Sequence, residues 1–448
     1  MKRLVYYDLK EWLDSKVNRK PVLLFGARQV GKTHLARMLG KEMPSFVEIN
    51  FEKKTQALRV FEGDLDPIRM IRELSLIADQ EIIPGKTLLF LDEIQDQPRA
   101  ITALRYFYEE MPELHIMAAG SLLDFALDSV GVPVGRVTFR WIYPLTFIEF
   151  LVATGHRLLA KAIISQPADK VLSEPIHEKA LELVSQYMCI GGMPEVVAAW
   201  AKHGNIKLCQ DLQINIIQSY EKDFPKYAKK HQVKYVDILF RQIPRHITKS
   251  FKFNLIESAF TKRELNPALH LLEKARILKI ILRSHGTGLP LGAEVDHHHF
   301  KIIFLDVALT QVILGLSIKN WFLEPQNTLA NKGEITEAFV GQELLGYQLP
   351  NQSANLYYWH RLSPSSQAEV DYLIDYQRQV IPVEVKSGHN ASLQSLRIFL
   401  VERPASPFGI RFSIYNFSYF DKLQNYPLYA VANIINDKKL LHDLLNDD

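Results

Sequence analysis

We predict an α/β protein that begins with a parallel-sheet domain, continues through a helical middle and ends in a second α/β domain. Three patterns along the 448 residues indicate this fold class. Short apolar segments alternate with helical patterns over residues 22–119, and helical patterns dominate residues 143–276. The order helix, three strands, helix, strand follows residue 332. Strands separated by helices favour a parallel sheet with right-handed crossovers.

In the first domain, the short apolar segments define four candidate strands. We predict strands at residues 22–25, 46–50, 87–91 and 115–119, with helices at residues 68–78, 101–110 and 122–127. In the last domain, we predict helices at residues 335–346 and 393–401, and strands at residues 355–360, 369–374, 380–386, 409–415 and 428–433.

The composition is that of an ordinary globular protein, with 47% hydrophobic and 23% charged residues. The length predicts about two or three domains. A net charge of +3 is too small to indicate a nucleic-acid partner by itself. The two cysteines, Cys189 and Cys209, exclude a disulfide framework and suit a reducing cytosol. No signal peptide or membrane span is evident, so we expect a cytoplasmic protein without a membrane partner.

The segment GARQVGKT, at residues 26–33, lies between an apolar strand and a helical pattern. In this context its glycines let backbone N–H groups point at phosphate oxygens, and the helix N-terminus favours negative charge. Lys32 can reach the β- and γ-phosphates, and the Thr33 hydroxyl can ligate Mg²⁺. We therefore predict binding of ATP with Mg²⁺. The predicted nucleotide-binding residues are Gly26, Ala27, Arg28, Gln29, Val30, Gly31, Lys32, Thr33, His34 and Ser121.

Two further strand ends carry polar residues that suit the same site. The apolar strand at residues 87–91 runs directly into Asp92 and Glu93. We predict that Asp92 holds the hydrated Mg²⁺ and that Glu93 orients or deprotonates the attacking water. Ser121 follows the strand at residues 115–119 and can contact the γ-phosphate; as an alternative, it caps the next helix.

Arg136 follows Gly135 in a loop rich in glycine and proline. An arginine held there can stabilise the transferring phosphate as an arginine finger, either within its own chain or across a subunit boundary. The alternative is a solvent-exposed loop arginine without a role in catalysis.

The middle of the chain contains a locally basic stretch, with nine lysine and arginine residues against three acids over residues 221–252. Helical segments at residues 235–242, 254–260 and 263–276, followed by a hairpin, outline a winged helix-turn-helix, which can place a helix in the major groove. We therefore predict contact with DNA here. Two alternatives remain open, because basic helices are often simply solvated faces and winged helices also dock proteins.

The last domain contains a candidate metal site. In the strand at residues 380–386, alternation puts Glu384 and Lys386 on one face, while Asp371 lies on the preceding strand and Glu337 on the helix. Carboxylates and a lysine at one sheet edge can hold Mg²⁺ and activate water against a phosphodiester. We predict catalytic roles for Glu337, Asp371, Glu384 and Lys386, with Asp371 and Glu384 as metal ligands. The alternative is a hairpin with a cross-strand ion pair.

Taken together, these residues resemble the bacterial and archaeal AAA+ ATPases that carry a C-terminal domain of unknown function with a restriction-endonuclease-like core. The resemblance covers nearly the full length. It is carried by GARQVGKT, LLFLDEIQ, AAGSLL, GR followed by YPLTFIEF, GGMPE, KIIFLDVAL, EAFVGQELL and AEVDYLID to PVEVKSG.

The resemblance implies residue roles in both sites. Lys32, Thr33, Asp92 and Glu93 look like the nucleotide, Mg²⁺ and water-activating residues. Ser121 is similar to a sensor of the γ-phosphate, and Arg136 to the arginine that reads it. Glu337, Asp371, Glu384 and Lys386 are similar to the PD-(D/E)XK nuclease set, although Val370 stands where that motif has proline.

The predicted architecture is an AAA+ P-loop domain at residues 1–150, a helical lid at 151–204, a winged-helix domain at 205–331 and a restriction-endonuclease-like domain at 332–448. The predicted function is ATP hydrolysis coupled to action on nucleic acid, with DNA as partner and a possible Mg²⁺-dependent nuclease. One alternative is a nucleotide-switched binding protein whose nuclease fold is silent. Another is a protein-remodelling or signalling ATPase. AAA+ cores often form rings, so we expect a homo-oligomer, for example a hexamer.

Overall fold

The structure is a computed structural model that describes residues 1–15, 19–131, 133–316, 321–322, 324–362, 368–388 and 392–447. The chain divides into two compact units. The N-terminal unit comprises residues 2–143 and 349–353. The C-terminal unit comprises residue 1 and residues 144–348 and 354–448. Each unit has its own sheet and its own apolar core.

The N-terminal unit is built on a parallel sheet. Its five strands are β1 (Val22–Phe25), β2 (Ser45–Asn50), β3 (Thr87–Asp92), β4 (His115–Ala119) and β5 (Thr138–Trp141), in the spatial order β2-β3-β4-β1-β5. All neighbouring strands are parallel, so their carboxyl ends lie at one edge. The four predicted strands are confirmed, and β5 had no counterpart in the prediction.

Helices cover this sheet at positions that local sequence explains. They are α1 (Leu4–Asp14), α2 (Lys32–Gly40), α3 (Gln56–Val60), α4 (Pro67–Ala78), α5 (Pro98–Glu110) and α6 (Leu123–Val130). The side chain of Asp66 accepts the N–H of Arg69 at 2.8 Å and caps α4, while Pro67 suits the first helical position. Buried Met70 and Leu74 lie on its core face. The predicted helices of this region are confirmed.

Helices occur along the whole length of the C-terminal unit. They are α7 (Phe147–Ala153), α8 (Arg157–Ser165), α9 (Glu174–Ile190), α10 (Pro194–His203), α11 (Ile206–Tyr227), α12 (Val233–Gln242), α13 (Lys262–Lys274), α14 (Val307–Ile313), α15 (Pro325–Asn331), α16 (Gly333–Gly346), α17 (Gln394–Glu402) and α18 (Lys439–Asn446). Thr146 and Glu149 form a capping box that starts α7.

A mixed sheet forms the second part of this unit. Its eight strands are β6 (Leu278–Ser284), β7 (Val295–Phe304), β8 (Tyr357–His360), β9 (Glu369–Tyr376), β10 (Gln379–Lys386), β11 (Gly409–Ser413), β12 (Ser418–Phe420) and β13 (Leu423–Pro427). Their spatial order is β12-β13-β11-β10-β9-β8-β6-β7. Trp359, Val370 and Phe399 are among the buried residues of its core.

The hairpin expected as a wing belongs to this larger sheet. Strand β6 pairs antiparallel with β7 on one side and parallel with β8 on the other. Backbone hydrogen bonds therefore continue from the hairpin into the strands after residue 332. The expected borders at residues 151, 205 and 332 do not separate compact units, because residues 144–348 and 354–448 form one unit. The winged-helix assignment itself stays a prediction.

Two element predictions were wrong. Residues 428–433, expected as a strand, lie in a 3₁₀ segment (Leu428–Ile434), and the strand is the preceding segment β13. Pro427 ends β13 and has no N–H to donate to a neighbouring strand. Residues 254–260, expected as a helix, contain only a short 3₁₀ turn (Phe253–Leu255). Both segments are too short for periodicity to distinguish the alternatives.

A buried polar cluster around Asp306 joins several of the quoted motifs. The carboxylate of Asp306 accepts the N–H of Gly192 at 2.7 Å and those of Ala308 and Leu309, which caps α14. A Cβ atom on Gly191 would lie 2.4 Å from Oδ1 of Asp306. The first glycine of the GGMPE turn is therefore needed for close packing against Asp306.

Among the described residues, no helix is both long enough and apolar enough to cross a membrane.

Candidate functional site

The segment at residues 26–33 connects the end of β1 to the start of α2. Gly26 passes so close to Ile142 that a Cβ atom would lie 2.4 Å from its carbonyl oxygen. Gly31 has φ +95°, in the left-handed region that favours glycine, and immediately precedes α2. The two glycines of the motif therefore meet two different backbone requirements. The loop lies at the carboxyl edge of the parallel sheet, where such folds bind ligands.

The side chain of Lys32 is buried and folds back over the loop. Its Nζ atom donates to the carbonyl oxygens of Gly26 and Ala27, both at 2.8 Å. Burial is the main cause that lowers the pKa of Lys32 to about 8, against the opposing influence of Glu93 and Asp92. The ammonium group is thus held within the loop that is expected to surround the phosphates.

Thr33 and Asp92 meet at the same sheet edge. Oγ1 of Thr33 lies 3.1 Å from Oδ2 of Asp92, and the amide of Asn50 donates to the same oxygen at 3.1 Å. Burial and the neighbouring Glu93 raise the pKa of Asp92. A hydroxyl oxygen beside a carboxylate is a donor set that suits Mg²⁺, so these residues fit the metal that the sequence implies. Asn50, at the end of β2, was not predicted.

Glu93 follows directly and has φ +53°. Its Oε2 atom accepts a hydrogen bond from the amide of Gln95 at 2.8 Å. The other end of that amide lies beside Gly120, where a Cβ atom would be only 2.2 Å from Oε1 of Gln95. Gln95 thus links the end of β3 to the end of β4. It stood within the quoted LLFLDEIQ motif, but its contact could not be predicted from spacing.

Ser121 lies one residue beyond Gly120, at the same edge as Asp92. The register explains this position, since Asp92 pairs with Ala119 and Leu24 pairs with the same residue. The alternative that Ser121 caps a helix is wrong. Helix α6 starts at Leu123, its N-cap residue is Leu122 and no side-chain cap is formed.

The remaining predicted nucleotide-binding residues differ in their burial. Ala27 and Val30 are buried, Arg28 and Gln29 are half-buried, and His34 is exposed on α2, with a pKa lowered chiefly by partial burial. The guanidinium of Arg3, which was not predicted, donates to the carbonyl oxygens of Val30 at 3.0 Å and Tyr143 at 2.8 Å. This buried arginine therefore connects the phosphate loop to Tyr143, two residues after the end of β5.

Arg136 is not brought to the phosphate loop of its own chain. It precedes β5, whose first residue Thr138 pairs with Val22 at the start of β1. Its Nε atom donates to Glu109 at 2.6 Å near the end of α5, and its side chain is exposed. Arg136 therefore lies at the amino edge of the sheet, opposite Thr33 and Asp92.

A second charged cluster lies in the C-terminal unit, and the structure brings together the residues predicted for it. Nζ of Lys386 lies 2.5 Å from Oε1 of Glu384, and Oδ2 of Asp371 accepts the N–H of Val385 at 2.7 Å. Glu337 enters from α16 and is half-buried in the cluster. The expected convergence of these side chains is thus present in the fold.

Lys301, which was not predicted, lies between three of the carboxylates. Its Nζ atom is 3.0 Å from Glu337, 2.6 Å from Glu369 and 3.8 Å from Oδ1 of Asp371. The side chain is fully buried on β7 and also lies over the ring of Tyr358. Burial lowers the pKa of Lys301, but the surrounding carboxylates outweigh this and raise it.

The pKa values of the acids in this cluster are also raised, chiefly by burial. The pKa of Glu384 is raised to about 8, first by burial and second by the charge of Asp371. Burial also raises the pKa of Asp371 and, together with Asp371, that of Glu337. Among the described residues, no group of three or more histidine, cysteine, aspartate or glutamate side chains is arranged to hold a metal ion.

Glu343, on the same helix as Glu337, makes its contacts elsewhere. Its carboxylate oxygens accept the N–H of Phe147 at 2.9 and 3.0 Å, at the first turn of α7. The N–H of Ile148 donates to the hydroxyl of Tyr347 at 3.2 Å in the same turn. Glu343 thus satisfies a helix N-terminus.

The predicted basic stretch divides into paired and unpaired side chains. Lys226, Arg241, Arg245 and Lys249 form ion pairs with acids. A separate group of exposed basic residues forms no ion pair with an acid in the described part of the chain. This group, at the starts of α12 and α13, is called the basic surface: Lys229, Lys230, His231, Lys234, Lys262 and Arg263. Lys234 lies over the rings of Tyr235 and Phe260, which join α12 to α13.

Sequence comparisons assign three parts of the chain. Residues 18–151 match the family described as AAA domain. Residues 181–320 match Domain of unknown function (DUF8612), and residues 332–430 match Domain of unknown function (DUF4143). No curated protein matches the chain. The N-terminal unit therefore has an AAA-type P-loop ATPase fold.

Solved structures show distant likenesses. The Walker-type ATPase PABY2304 of Pyrococcus abyssi is 15% identical over 69% of this chain and 94% of its own, with a TM-score of 0.43. AMPPCP-bound DnaA from Aquifex aeolicus is 16% identical over 59% and 75%, with a TM-score of 0.26. C. elegans PCH-2 is 16% identical over 47% and 64%, with a TM-score of 0.25.

Proposed function

We propose that this protein hydrolyses ATP and that the nucleotide cycle controls its affinity for nucleic acid. The observation that carries the proposal is the contact between Thr33 and Asp92 at 3.1 Å, with Glu93 next along the chain. It brings the phosphate loop and the acidic strand end together at one sheet edge. Mg²⁺, when bound with ATP, supplies charge neutralisation at the β- and γ-phosphates.

Each side chain then has a role in the reaction. Lys32 exchanges its bonds to Gly26 and Ala27 for bonds to phosphate oxygens. Glu93 accepts the proton of the attacking water or orients that water, while Gln95 holds the carboxylate through its amide. Ser121 contacts the γ-phosphate from the end of β4. These assignments rest on position and chemistry at one sheet edge.

Arg136 can serve only a neighbouring subunit in this scheme, because it lies at the opposite edge of its own sheet. A ring or hexamer would bring it to the site of the adjacent copy. Its exposed guanidinium and its pairing with Glu109 at 2.6 Å are compatible with exchange for a phosphate. The homo-oligomer is part of the proposal for this reason.

The basic surface supports nucleic acid as the partner. Its six exposed side chains, at the starts of α12 and α13, form no ion pair with an acid among the described residues. Unpaired cations on adjacent helix starts suit the phosphates of a duplex, whose counterions they would displace. The ion-paired residues of the same stretch, such as Arg241 and Lys249, are not expected to contribute.

The test measures phosphate release and DNA binding with the full chain. Duplex and single-stranded DNA are titrated by fluorescence anisotropy without nucleotide, with ADP and with AMPPCP. We expect turnover of ATP and different DNA affinities in the ADP and AMPPCP states, a difference that Lys32→Ala removes. Absence of DNA affinity in every state contradicts the proposal and favours a protein-remodelling or signalling ATPase.

Metal-dependent DNA cleavage is the second candidate function. The Glu384–Lys386 pair at 2.5 Å favours it, whereas Lys301 among the carboxylates weighs against it and favours a silent nuclease fold. End-labelled single-stranded, duplex and branched DNA are incubated with Mg²⁺ or Mn²⁺, with and without ATP. Cuts that are lost in Asp371→Ala/Lys386→Ala would establish cleavage, and no cuts would leave the binding function.

A further inference from the structure

The charged cluster of the C-terminal unit already contains a cation. Four carboxylates, those of Glu337, Glu369, Asp371 and Glu384, surround the two ammonium groups of Lys301 and Lys386. The two lysines differ in access to solvent. The side chain of Lys386 is 28% exposed, whereas that of Lys301 is 0% exposed. Only Lys301 is fully enclosed by the cluster.

The geometry around Lys301 resembles that of a metal position. Its Nζ atom contacts carboxylate oxygens from two elements: Glu337 on α16, and Glu369 and Asp371 on β9. The latter two belong to one face, because alternate residues of a strand point to the same side. A divalent ion held by Asp371 and Glu337 would occupy the space that the ammonium group fills.

The residues present therefore do not fit the Mg²⁺ that the resemblance implies. Two positive charges at contact distance repel strongly in a buried site, and the ion would also lose the oxygens that already bond to Lys301. Oε2 of Glu384 is buried and has no hydrogen-bond partner in the described structure. A hard cation takes about six oxygen ligands, and oxygens of Glu337 and Glu369 are already bonded to Lys301.

We propose that the ammonium group of Lys301 occupies the cation position of this centre. The C-terminal unit then folds without a divalent metal, and replacing Lys301 by a neutral side chain opens a site for Mn²⁺ or Mg²⁺. This inference is independent of whether ATP hydrolysis controls DNA binding.

The test uses Mn²⁺ as the probe and the loss of its free-ion electron paramagnetic resonance signal as the readout. All proteins carry Asp92→Asn and are free of nucleotide, so that the ATP site does not contribute. Three proteins are compared: this parent, the parent with Lys301→Met, and the parent with Lys301→Met and Asp371→Asn. We expect Lys301→Met to bind one Mn²⁺ on the order of tenfold or more tightly than the parent, because one repelling charge is removed. The added Asp371→Asn should abolish that binding.

Two results would overturn the proposal. Equal Mn²⁺ binding by the parent and by Lys301→Met, lost with Asp371→Asn, would mean that the metal and Lys301 share the centre. No Mn²⁺ binding by either protein would mean that Lys301 does not occupy a metal position. If Lys301→Met does not fold, as judged by circular dichroism, Lys301→Met/Glu369→Gln keeps the net charge of the cluster and allows the same comparison.

Discussion

The hydroxyl oxygen of Thr33 lies 3.1 Å from Oδ2 of Asp92, although 59 residues separate them in the chain. The contact exists because β1 and β3 are parallel members of one sheet, with β4 between them. Their carboxyl ends therefore lie at the same edge. Asn50 reaches the same carboxylate oxygen from β2, so three strand ends contribute to one site.

Lys32→Ala should reduce ATP turnover by about 10²-fold or more, because a charge that stabilises the transferring phosphate is removed. Lys32 is also buried and donates hydrogen bonds to two carbonyl oxygens. We therefore also expect a loss of about 1–2 kcal/mol in unfolding free energy. Phosphate release and denaturant unfolding measure the two effects. Lys41→Ala, an exposed lysine just after α2, is the control. Normal ATP turnover in Lys32→Ala would contradict the assignment of residues 26–33 as the phosphate-binding loop.

Glu93→Gln should retain ATP binding and slow hydrolysis by about 10²-fold or more, because glutamine cannot accept the proton of the attacking water. Nucleotide affinity and single-turnover rates distinguish binding from chemistry. Glu110→Gln, at the exposed end of α5, should leave both unchanged. Weakened ATP binding with an unchanged single-turnover rate would assign Glu93 a structural role instead.

Substitution of Lys229, Lys230 and Lys234 by alanine should weaken DNA binding and flatten its salt dependence. The slope of log affinity against log salt is expected to fall by about one for each phosphate that the variant no longer neutralises. Anisotropy titrations over a series of KCl concentrations give the slope. The matched control is Lys249→Ala, whose ammonium group is paired with Glu334 at 2.5 Å. An equal change of slope in the control would show that the basic surface has no special role.

Glu343 should make the protein less stable as the pH rises towards 8. Burial raises its pKa from 4.5 to about 8, so the folded protein holds a proton that the unfolded chain releases. The stabilisation is complete below about pH 4.5 and is lost as the pH passes through about 8, with a slope of up to about 1.4 kcal/mol per unit. Glu343→Gln keeps an acceptor for Phe147 and removes this contribution. Denaturant unfolding at pH 5 to 8 compares the two proteins, and parallel stability curves would contradict the assignment.

Gly191→Ala should destabilise the C-terminal unit by about 3 kcal/mol, because its Cβ atom would lie 2.4 Å from Oδ1 of Asp306. Its φ of +75° adds strain. Gly204→Ala is the matched control, with φ +55° but no atom within 4 Å of the added carbon, and should cost about 1 kcal/mol. Thermal unfolding measures both. Equal losses would show that contact with Asp306 is unimportant.

Much of the N-terminal unit was predictable because its signals are local. A buried apolar segment followed by a glycine-rich loop predicts β1 and the residues after it, and Asp92 marks the end of β3. Parallel strands then require these ends to share an edge. Gln95 and Arg3 were not predicted, because their roles lie in contacts that only the folded backbone creates. Gln95 contacts Glu93, and Arg3 contacts Val30.

The amino-acid sequence determined which side chains can bind the phosphates of ATP. It also indicated that Glu337, Asp371, Glu384 and Lys386 converge. Only the tertiary structure placed Lys301 among them, and only it joined β6 and β7 to the later strands. The physical reason is that pairing between strands depends on backbone hydrogen bonds over long separations, which leave no periodic pattern in the sequence. Lys301 lies 36 residues before Glu337, and its burial is visible only once the fold is formed around it.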